Sequence, residues 1–282
     1  MADVMSGPVT VVGVHGVGNH QAALGPVAAA DRIAGWWHNA LLAGLQRPHE
    51  ESGLQVRMAY YADHLRTRTP QGPEELDALD KAAQARVIAW ARLLGADEPT
   101  VQGWVTAPVR AAISWVANRY GLDHGAVRAL VARFFGEVET YFTEPGRRER
   151  ARIRVAEAIT AVHPQVVIAH SLGSVVTYET LWAHELPPID LLITLGSPLA
   201  MPDIVHDRLV PHEGLRRRPP GIGTWINIAD PGDIIAIPAR GIPARFAGVA
   251  ADRTNAIGAF DFHRAVRYLK NSATADALTA HL

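Results

Sequence analysis

Val166-Val167-Ile168-Ala169-His170-Ser171-Leu172-Gly173-Ser174 is the stretch that decides the fold. Its first four residues are apolar and three of them are β-branched, which predicts a buried strand. The turn that follows leads directly into a helix-compatible run from Val175 to His184. Strand, tight turn and helix in this order form the pattern of a nucleophile elbow. The sequence therefore predicts that Ser171 stands at the carboxyl end of a buried strand, where a base can reach it.

The residue types in this turn suit nucleophilic catalysis. A serine hydroxyl is a weak nucleophile until a base removes its proton. Ala169 and Gly173, two positions to either side of Ser171, are small enough for strand and helix to pass closely. The new helix points free N–H groups at the serine, and Leu172 N–H is the first candidate donor to an oxyanion. A serine that only caps a helix gives the same short pattern, so the choice depends on the rest of the chain.

The length and composition are those of a globular protein with a large core. The chain has 282 residues, of which 48% are hydrophobic and 20% charged. Its formal charge of -1 offers no basic field, so we expect no nucleic-acid partner. Cysteine is absent from the sequence, which excludes disulfides and thiolate chemistry. Without a signal-peptide pattern or an apolar run of about 18 residues, we expect a cytoplasmic protein with no transmembrane segment.

A second strand and turn lie at the start of the chain. Val9 to Val14 is a β-rich run that leads into His15-Gly16-Val17-Gly18-Asn19. A glycine-rich turn after a buried strand can bring N–H groups close to a phosphate or to an oxyanion. The glycine spacing is not G-x-G-x-x-G, and neither a P-loop lysine nor the acidic residue of a dinucleotide site follows. We therefore favour the oxyanion, with Val17 N–H as a donor and His15 as a residue that orders the loop.

Helix and strand patterns predict an α/β fold with a helical insertion. Apolar residues recur at helical spacing from Val27 to Leu45, and a predicted strand follows from Leu54 to Tyr61. Before the Ser171 strand come three segments with the end signals of helices, at 73–94, 108–120 and 123–142. A charged helix, 147–162, then returns the chain to that strand.

These patterns define two parts of the chain. We expect a mostly parallel sheet flanked by helices, formed by residues 1–65 and 147–282, and a helical cap formed by residues 66–146. The large apolar side chains of the insertion, Trp90 and Phe134 among them, suit a subdomain packed on itself, a lid over an apolar pocket, or both.

Candidates for an acid and a base follow the Ser171 strand. A predicted strand at 224–229 is followed by Asp230-Pro231-Gly232-Asp233-Ile234-Ile235, and His263 precedes a predicted helix at 264–270. A histidine at such a junction can place its ring over the carboxyl edge of the sheet. Asp230 sits where its carboxylate can cap a tight turn, whereas the isoleucines after Asp233 can bury that carboxylate against the histidine. We favour Asp233 as the acid and keep Asp230 as the alternative.

Together these segments resemble the α/β-hydrolase superfamily, particularly its lipase-like members. Residues 11–19 resemble its oxyanion-loop strand, 169–173 its elbow, and 195–198 its strand-six turn, with the acid and base in the expected order. Residues 227–238 are similar to the N…D-x-V-x-x-P stretch of class 3 lipases and of inositol-deacylase-like hydrolases. The elbow begins with Ala169 where the G-x-S-x-G form has Gly. The resemblance implies ester, thioester or amide hydrolysis through an acyl-serine.

The sequence thus predicts a serine hydrolase that cleaves an ester of apolar acyl character, of the lipase or esterase type. The predicted site comprises Ser171, Asp233 and His263, with Val17 and Leu172 forming an oxyanion hole, and no cofactor or metal. The expected partner is a small-molecule or lipid-like acyl substrate. A peptidase or thioesterase with the same triad is the alternative, because one fold serves many substrates. A non-catalytic binding module of the same fold is a third hypothesis, which the presence of Ser, His and Asp disfavours.

Overall fold

The computed structural model describes residues 8–48, 53–66, 76, 78–97, 107–211, 216–258, 263–279 and 281. Its strands are β1 (Val9–Val14), β2 (Leu54–Ala59), β3 (Val166–His170), β4 (Ile189–Leu195), β5 (Arg216–Arg217), β6 (Ile222–Ala229), β7 (Phe246–Ala247) and β8 (Ala251–Thr254). Six of them form one parallel sheet in the order β2-β1-β3-β4-β6-β8, while β5 pairs with β7. The predicted α/β class with a mostly parallel sheet is confirmed.

The helices of the described residues lie before, between and after these strands. They are α1 (Pro26–Leu45), α2 (Ala62–Leu65), α3 (Lys81–Leu93), α4 (Ala107–Tyr120), α5 (His124–Thr143), α6 (Pro145–Val162), α7 (Leu172–Ala183), α8 (Gly241–Arg245), α9 (Ala265–Lys270) and α10 (Ser272–Thr279). Among the described residues, no helix combines the length and the apolar character needed to cross a bilayer.

Helices cover both faces of the sheet. Successive side chains of a strand point to opposite faces, so β1 contributes Val12 and Val14 to one core and Val11 to the other. The first core includes α6 and α7, and the second includes α1, α9 and α10. A parallel sheet buried on both sides needs continuous apolar strands, and β3 is buried along its whole length. This explains why the Ser171 strand shows no polar alternation.

Helices α3, α4 and α5 lie within the predicted insertion and share a core with the sheet. Trp90 of α3, Val116 of α4 and Phe134 of α5 are fully buried in the same hydrophobic cluster as Val12 of β1 and Val167 of β3. These three helices therefore pack against the sheet as well as against one another.

Buried ion pairs and hydrogen bonds also tie α5 to its neighbours. Glu139 accepts from Arg86 of α3 at 2.7 Å and from Arg208 at 3.0 Å. Tyr141 OH donates to Glu179 of α7 at 2.6 Å. Since α7 begins at the elbow, the insertion is anchored directly to the helix that carries Ser171 at its start.

Two predicted helix starts are wrong for local reasons. The helix predicted from residue 73 begins at Lys81, because the Asp80 carboxylate accepts from Ala83 N–H at 2.7 Å and so caps the helix there. Residues 73–75 and 77 lie outside the described residues. The elbow helix begins at Leu172 and not at Val175, since Ser171 is the N-cap.

The edge strand β8 and helix α10 were not predicted, because both are short and neither is strongly apolar.

Candidate active site

The sheet has a topological switch point between β1 and β3. The chain passes from β1 to β2 on one side of β1 and later places β3 on its other side. In open parallel sheets, ligands bind at the carboxyl ends of the strands beside such a point. The 15–19 loop follows β1 and Ser171 follows β3, so the two predicted segments flank this position.

Ser171 occupies a strained turn. Its φ of 54° and ψ of −130° are rarely adopted by residues other than glycine, and it is the N-cap of α7. Strain of this kind persists only where the surrounding structure enforces it, and it clusters at functional sites. The turn thus has the backbone geometry expected of a nucleophile elbow.

Two glycines allow the elbow and the β1 loop to touch. A Cβ atom on Gly16 would lie 2.6 Å from Ser171 Cβ, and one on Gly173 would collide with the carbonyl oxygens of Val14 and His15. Side chains at these positions are therefore excluded. The sequence predicted the close passage at Gly173, but the segment that passes there is the end of β1.

The structure brings Ser171, His263 and Asp233 together. His263 Nε2 lies 2.7 Å from Ser171 Oγ, and His263 Nδ1 lies 2.7 Å from Asp233 Oδ2. A carboxylate can only accept, so Nδ1 carries the ring proton and Nε2 accepts from the serine hydroxyl. Ser171, Asp233 and His263 are 0%, 2% and 8% exposed. The three groups form a continuous hydrogen-bonded chain that is nearly closed to solvent.

Three further donors hold the Asp233 carboxylate. Ile235 N–H and Ala236 N–H donate to Oδ1 at 2.8 and 3.3 Å, and Tyr268 OH donates to Oδ2 at 2.7 Å. Burial, followed by the charge of Asp233, raises the pKa of Tyr268, so its hydroxyl stays protonated and remains a donor. The carboxylate is thus oriented from both sides before it meets the imidazole.

The loop of Asp233 is also held by the insertion. Trp90 Nε1 on α3 donates to Ile234 O at 2.7 Å, and both side chains are fully buried. This contact joins the insertion to the residue next to the acid. Trp90 and Phe134 are both fully buried in this structure, and a role of the insertion in lining a substrate pocket stays a prediction.

Asp230 has the turn-capping role that the sequence allowed for it. Its Oδ1 accepts from Gly232 N–H at 2.5 Å, and its Oδ2 accepts from Ile257 N–H. Its own N–H donates to Tyr268 OH at 2.9 Å. Asp233, and not Asp230, is therefore the carboxylate that contacts His263.

His15 orders the β1 loop, as predicted. Its Nε2 accepts from Tyr61 N–H at 3.2 Å, its Nδ1 lies 2.9 Å from Gly16 O, and its carbonyl accepts from Tyr61 OH at 2.6 Å. Burial lowers the pKa of His15 to about 4, so the ring is neutral at neutral pH. Asn19 adds hydrogen bonds to the carbonyls of Gly16 and Val17 at 3.0 and 3.2 Å. The loop that carries Val17 is thereby fixed beside Ser171.

Sequence reasoning missed three residues near the site: Tyr268, His170 and Glu137. The His170 ring centroid lies 4.8 Å from that of His263, and burial holds the pKa of His170 well below its usual value. Glu137 accepts from Gly18 N–H at 2.8 Å. A charged residue on the largely apolar face of α5 was the one local signal among them, since Tyr268 and His170 follow no pattern that indicates their contacts.

Comparison of the chain with protein-family models, with curated proteins and with solved structures gave no match. Within the described ranges, no group of three or more His, Asp or Glu side chains is placed to hold a metal ion. A function for this chain must therefore be inferred from the geometry of the site itself.

Proposed function

We propose that this chain is a serine hydrolase that cleaves carboxylic esters of apolar acyl character through an acyl-serine intermediate. In this proposal Ser171 is the nucleophile, His263 the general base and Asp233 the acid that orients it. The observation that carries the proposal is the pair of 2.7 Å contacts that links Asp233 through His263 to Ser171 Oγ. A nucleophile and base within hydrogen-bonding distance, with the base oriented by a third group, define this chemistry.

The strand-turn-helix context of the serine gives further support. Ser171 lies between β3 and α7 with a positive φ, and the acid and base follow it in the order Ser, Asp, His. Both features belong to the nucleophile elbow and triad order of α/β-hydrolases. The same residues would be placed differently along the chain in the chymotrypsin-like and subtilisin-like arrangements of this triad.

Acylation would begin with attack of Ser171 Oγ on the ester carbonyl carbon. The hydroxyl proton moves to His263 Nε2, and the electron pair of the carbonyl double bond moves onto oxygen. The tetrahedral intermediate collapses as that pair re-forms the double bond and the carbon–oxygen bond to the alcohol breaks. His263 returns its proton to the departing alkoxide, which leaves the acyl group on Ser171. Asp233 stabilises the imidazolium during both transfers.

Deacylation repeats these steps with water in place of serine. Water attacks the acyl carbonyl while His263 takes one of its protons, and collapse expels Ser171 Oγ, which regains a proton from His263. The products are a carboxylic acid and a free serine. Leu172 N–H at the start of α7 and Val17 N–H in the β1 loop are the proposed donors to the oxyanion in both halves. The dipole of α7 adds to the positive potential at that point.

The proposal that the acyl group is apolar rests on the surroundings of the triad. Half-buried Val17 packs against the core beside the elbow, and the fully buried Leu172, Ile234 and Ile235, which follow the nucleophile and the acid, belong to the same core. Apolar residues with a few converging polar groups are typical of small-molecule sites.

A fluorophosphonate probe tests the proposal because it reacts with activated serines. We expect wild-type protein to form an adduct at Ser171 and to hydrolyse p-nitrophenyl esters, with a preference among graded chain lengths. Ser171→Ala should abolish labelling and lower kcat by a factor on the order of 10⁴ to 10⁶. Thioester and peptide substrates in the same assay test the thioesterase and peptidase alternatives, which differ in the leaving group.

Ser174→Ala is the matched control, since Ser174 Oγ is a buried hydroxyl one turn further along α7. It donates to Ser171 O at 2.6 Å and lies 2.7 Å from Ser197 Oγ. This variant should still label at Ser171. Adducts at Ser174 or Ser197 in the wild type would reject Ser171 as the nucleophile. A wild type that neither reacts with the probe nor hydrolyses any of these substrates would favour the non-catalytic binding module.

A further inference from the structure

The helical insertion reaches the proposed oxyanion loop through a buried carboxyl group. Glu137 lies on α5, is 9% exposed, and its Oε1 accepts from Gly18 N–H at 2.8 Å. Its neighbours on this helix, Phe134 and Val138, are fully buried. A carboxyl group in such a position lowers stability unless it is hydrogen-bonded, so the contact with Gly18 is what makes Glu137 tolerable there.

Gly18 is held by α5 in a conformation that other residues rarely adopt. Its φ is +72°, and a Cβ atom on it would lie 3.3 Å from Arg133 Cδ. Arg133 and Glu137 are four residues apart and therefore lie on the same side of α5. One packs against Gly18 and the other accepts its N–H. The α5 surface thus sets the position of the residue that directly follows Val17.

The Val17 peptide lies between two fixed points. On one side is Gly16, where an added Cβ atom would lie 2.6 Å from Ser171 Cβ, and on the other is Gly18, hydrogen-bonded to Glu137. Oxyanion donors contribute most when they are oriented before charge develops, because no reorganisation is then needed during the reaction. A hydrogen bond to Gly18 N–H fixes the peptide that follows Val17 and so restricts how the Val17 N–H can turn.

We propose that Glu137 is a positioning residue that holds Val17 N–H toward the oxyanion. The insertion then takes part in catalysis by fixing the oxyanion loop, and this inference rests on the proposed function. Glu137 acts through the loop and touches neither substrate nor the reacting atoms.

The protonation of Glu137 is compatible with this role. Burial is the largest influence and raises its pKa to about 7, against the opposing effects of the Gly18 hydrogen bond and of Arg133. The neutral carboxyl is therefore well populated at neutral pH, and its carbonyl oxygen still accepts from Gly18. A neutral acceptor holds the loop without placing a full negative charge near the oxyanion.

A pair of variants that differ mainly in the acceptor tests the proposal. Glu137→Gln keeps an oxygen that can accept from Gly18 N–H, whereas Glu137→Met has similar length, suits the apolar face of α5 and offers no comparable acceptor. We expect the Met variant to fold and to lose about 10- to 100-fold in kcat on a p-nitrophenyl ester, with KM changed less than about threefold. The Gln variant should retain kcat within about threefold of wild type.

Glu139→Met is the matched control on the same helix. Glu139 is also buried, but it pairs with Arg86 and Arg208, and within the described ranges it has no hydrogen bond to residues 15–19. This variant should lower the Tm while leaving the kcat of the folded enzyme within about twofold. An equal loss of kcat in the Glu139 variant would show that any damage to α5 has the same effect, and would overturn the proposal.

The outcome separates this inference from the proposed function. If the wild type labels at Ser171 and the folded Met variant keeps its kcat, the role of Glu137 is rejected and the hydrolase proposal stands. If the wild type neither labels nor turns over, both are rejected. Loss of kcat in the Met and Gln variants alike would show that the charge, and not the acceptor, is what matters, and would also reject the positioning role.

Discussion

Replacing Asp233 by Asn tests the triad with a small chemical change. In the native site, Asp233 Oδ2 accepts from His263 Nδ1 and from Tyr268 OH, both at 2.7 Å. Its Oδ1 accepts from Ile235 N–H at 2.8 Å and from Ala236 N–H at 3.3 Å. His263 Nδ1 also lies 2.9 Å from Oδ1. Both oxygens of the carboxylate thus face donors, and an asparagine must turn its NH₂ group toward one of these two sets of donors.

The geometry decides which way the amide turns. Oδ1 faces two backbone N–H groups that cannot rotate, so an NH₂ group there would lose both hydrogen bonds. A buried N–H group left without an acceptor costs about 1–3 kcal/mol, which favours placing the NH₂ group at the Oδ2 position. There it lies 2.7 Å from His263 Nδ1, the shorter of the two contacts between Nδ1 and the side chain. The tautomer with its proton on Nε2 is therefore favoured over the one in which Nδ1 donates across 2.9 Å to the Oδ1 position. A protonated Nε2 cannot accept the Ser171 proton, so we expect kcat to fall by a factor on the order of 10⁴.

Stability should change far less than activity. Loss of the hydrogen bond from Tyr268 should lower the free energy of unfolding of the Asp233→Asn protein by about 2 kcal/mol. Steady-state kinetics on a p-nitrophenyl ester and urea unfolding measure the two effects separately. A folded Asp233→Asn protein whose kcat stays within about tenfold of wild type would refute this reasoning.

Asp230→Asn is the matched control for the same chemical change. Asp230 accepts only backbone N–H groups, those of Gly232 and Ile257, and has no contact with His263 among the described residues. We expect a loss of about 1 kcal/mol in unfolding free energy and a kcat within about threefold of wild type. An inactive but folded Asp230→Asn protein would exchange the roles of the two acids.

Two further predictions concern residues that hold the loops around the site. Trp90→Phe removes the N–H that donates to Ile234 O at 2.7 Å and leaves that buried carbonyl unpaired, so urea unfolding should show a loss of about 1–3 kcal/mol. Burial lowers the pKa of His15 from 6.5 to about 4, so below pH 6.5 the unfolded chain binds a proton that the folded chain does not. This residue should therefore reduce stability as pH falls from about 6.5 to 4, by up to about 3 kcal/mol, and His15→Gln should lack that part of the pH dependence measured between pH 7.5 and 4.5.

Each of these has a clear contrary result. Unchanged stability in Trp90→Phe would mean that the indole hydrogen bond does not hold the acid loop. Parallel pH curves for the wild type and His15→Gln would mean that His15 is protonated as readily in the folded chain as in the unfolded one.

The sequence predicted those features that depend on neighbouring residues alone. The strand before Ser171 is buried on both faces and therefore continuously apolar, and its turn needs small residues, so both leave a pattern within nine residues. Helix periodicity predicted α1, and helix end signals predicted α4 and α5, to within one residue of their observed ends. The predicted start of α3 was wrong because the helix begins after Asp80, whose side chain caps it.

The residues that hold the site in place are determined by contacts between distant parts of the chain, which the sequence does not show. Asp230 and Asp233 follow the same strand and both accept backbone N–H groups. The isoleucines after Asp233 favoured it, but the choice is decided by the position of a histidine thirty residues later. Trp90 is 144 residues from Ile234, and Glu137 is 119 residues from Gly18. Hydrophobic periodicity records which side of an element is buried, but the partner of a buried polar group is set by where distant elements meet.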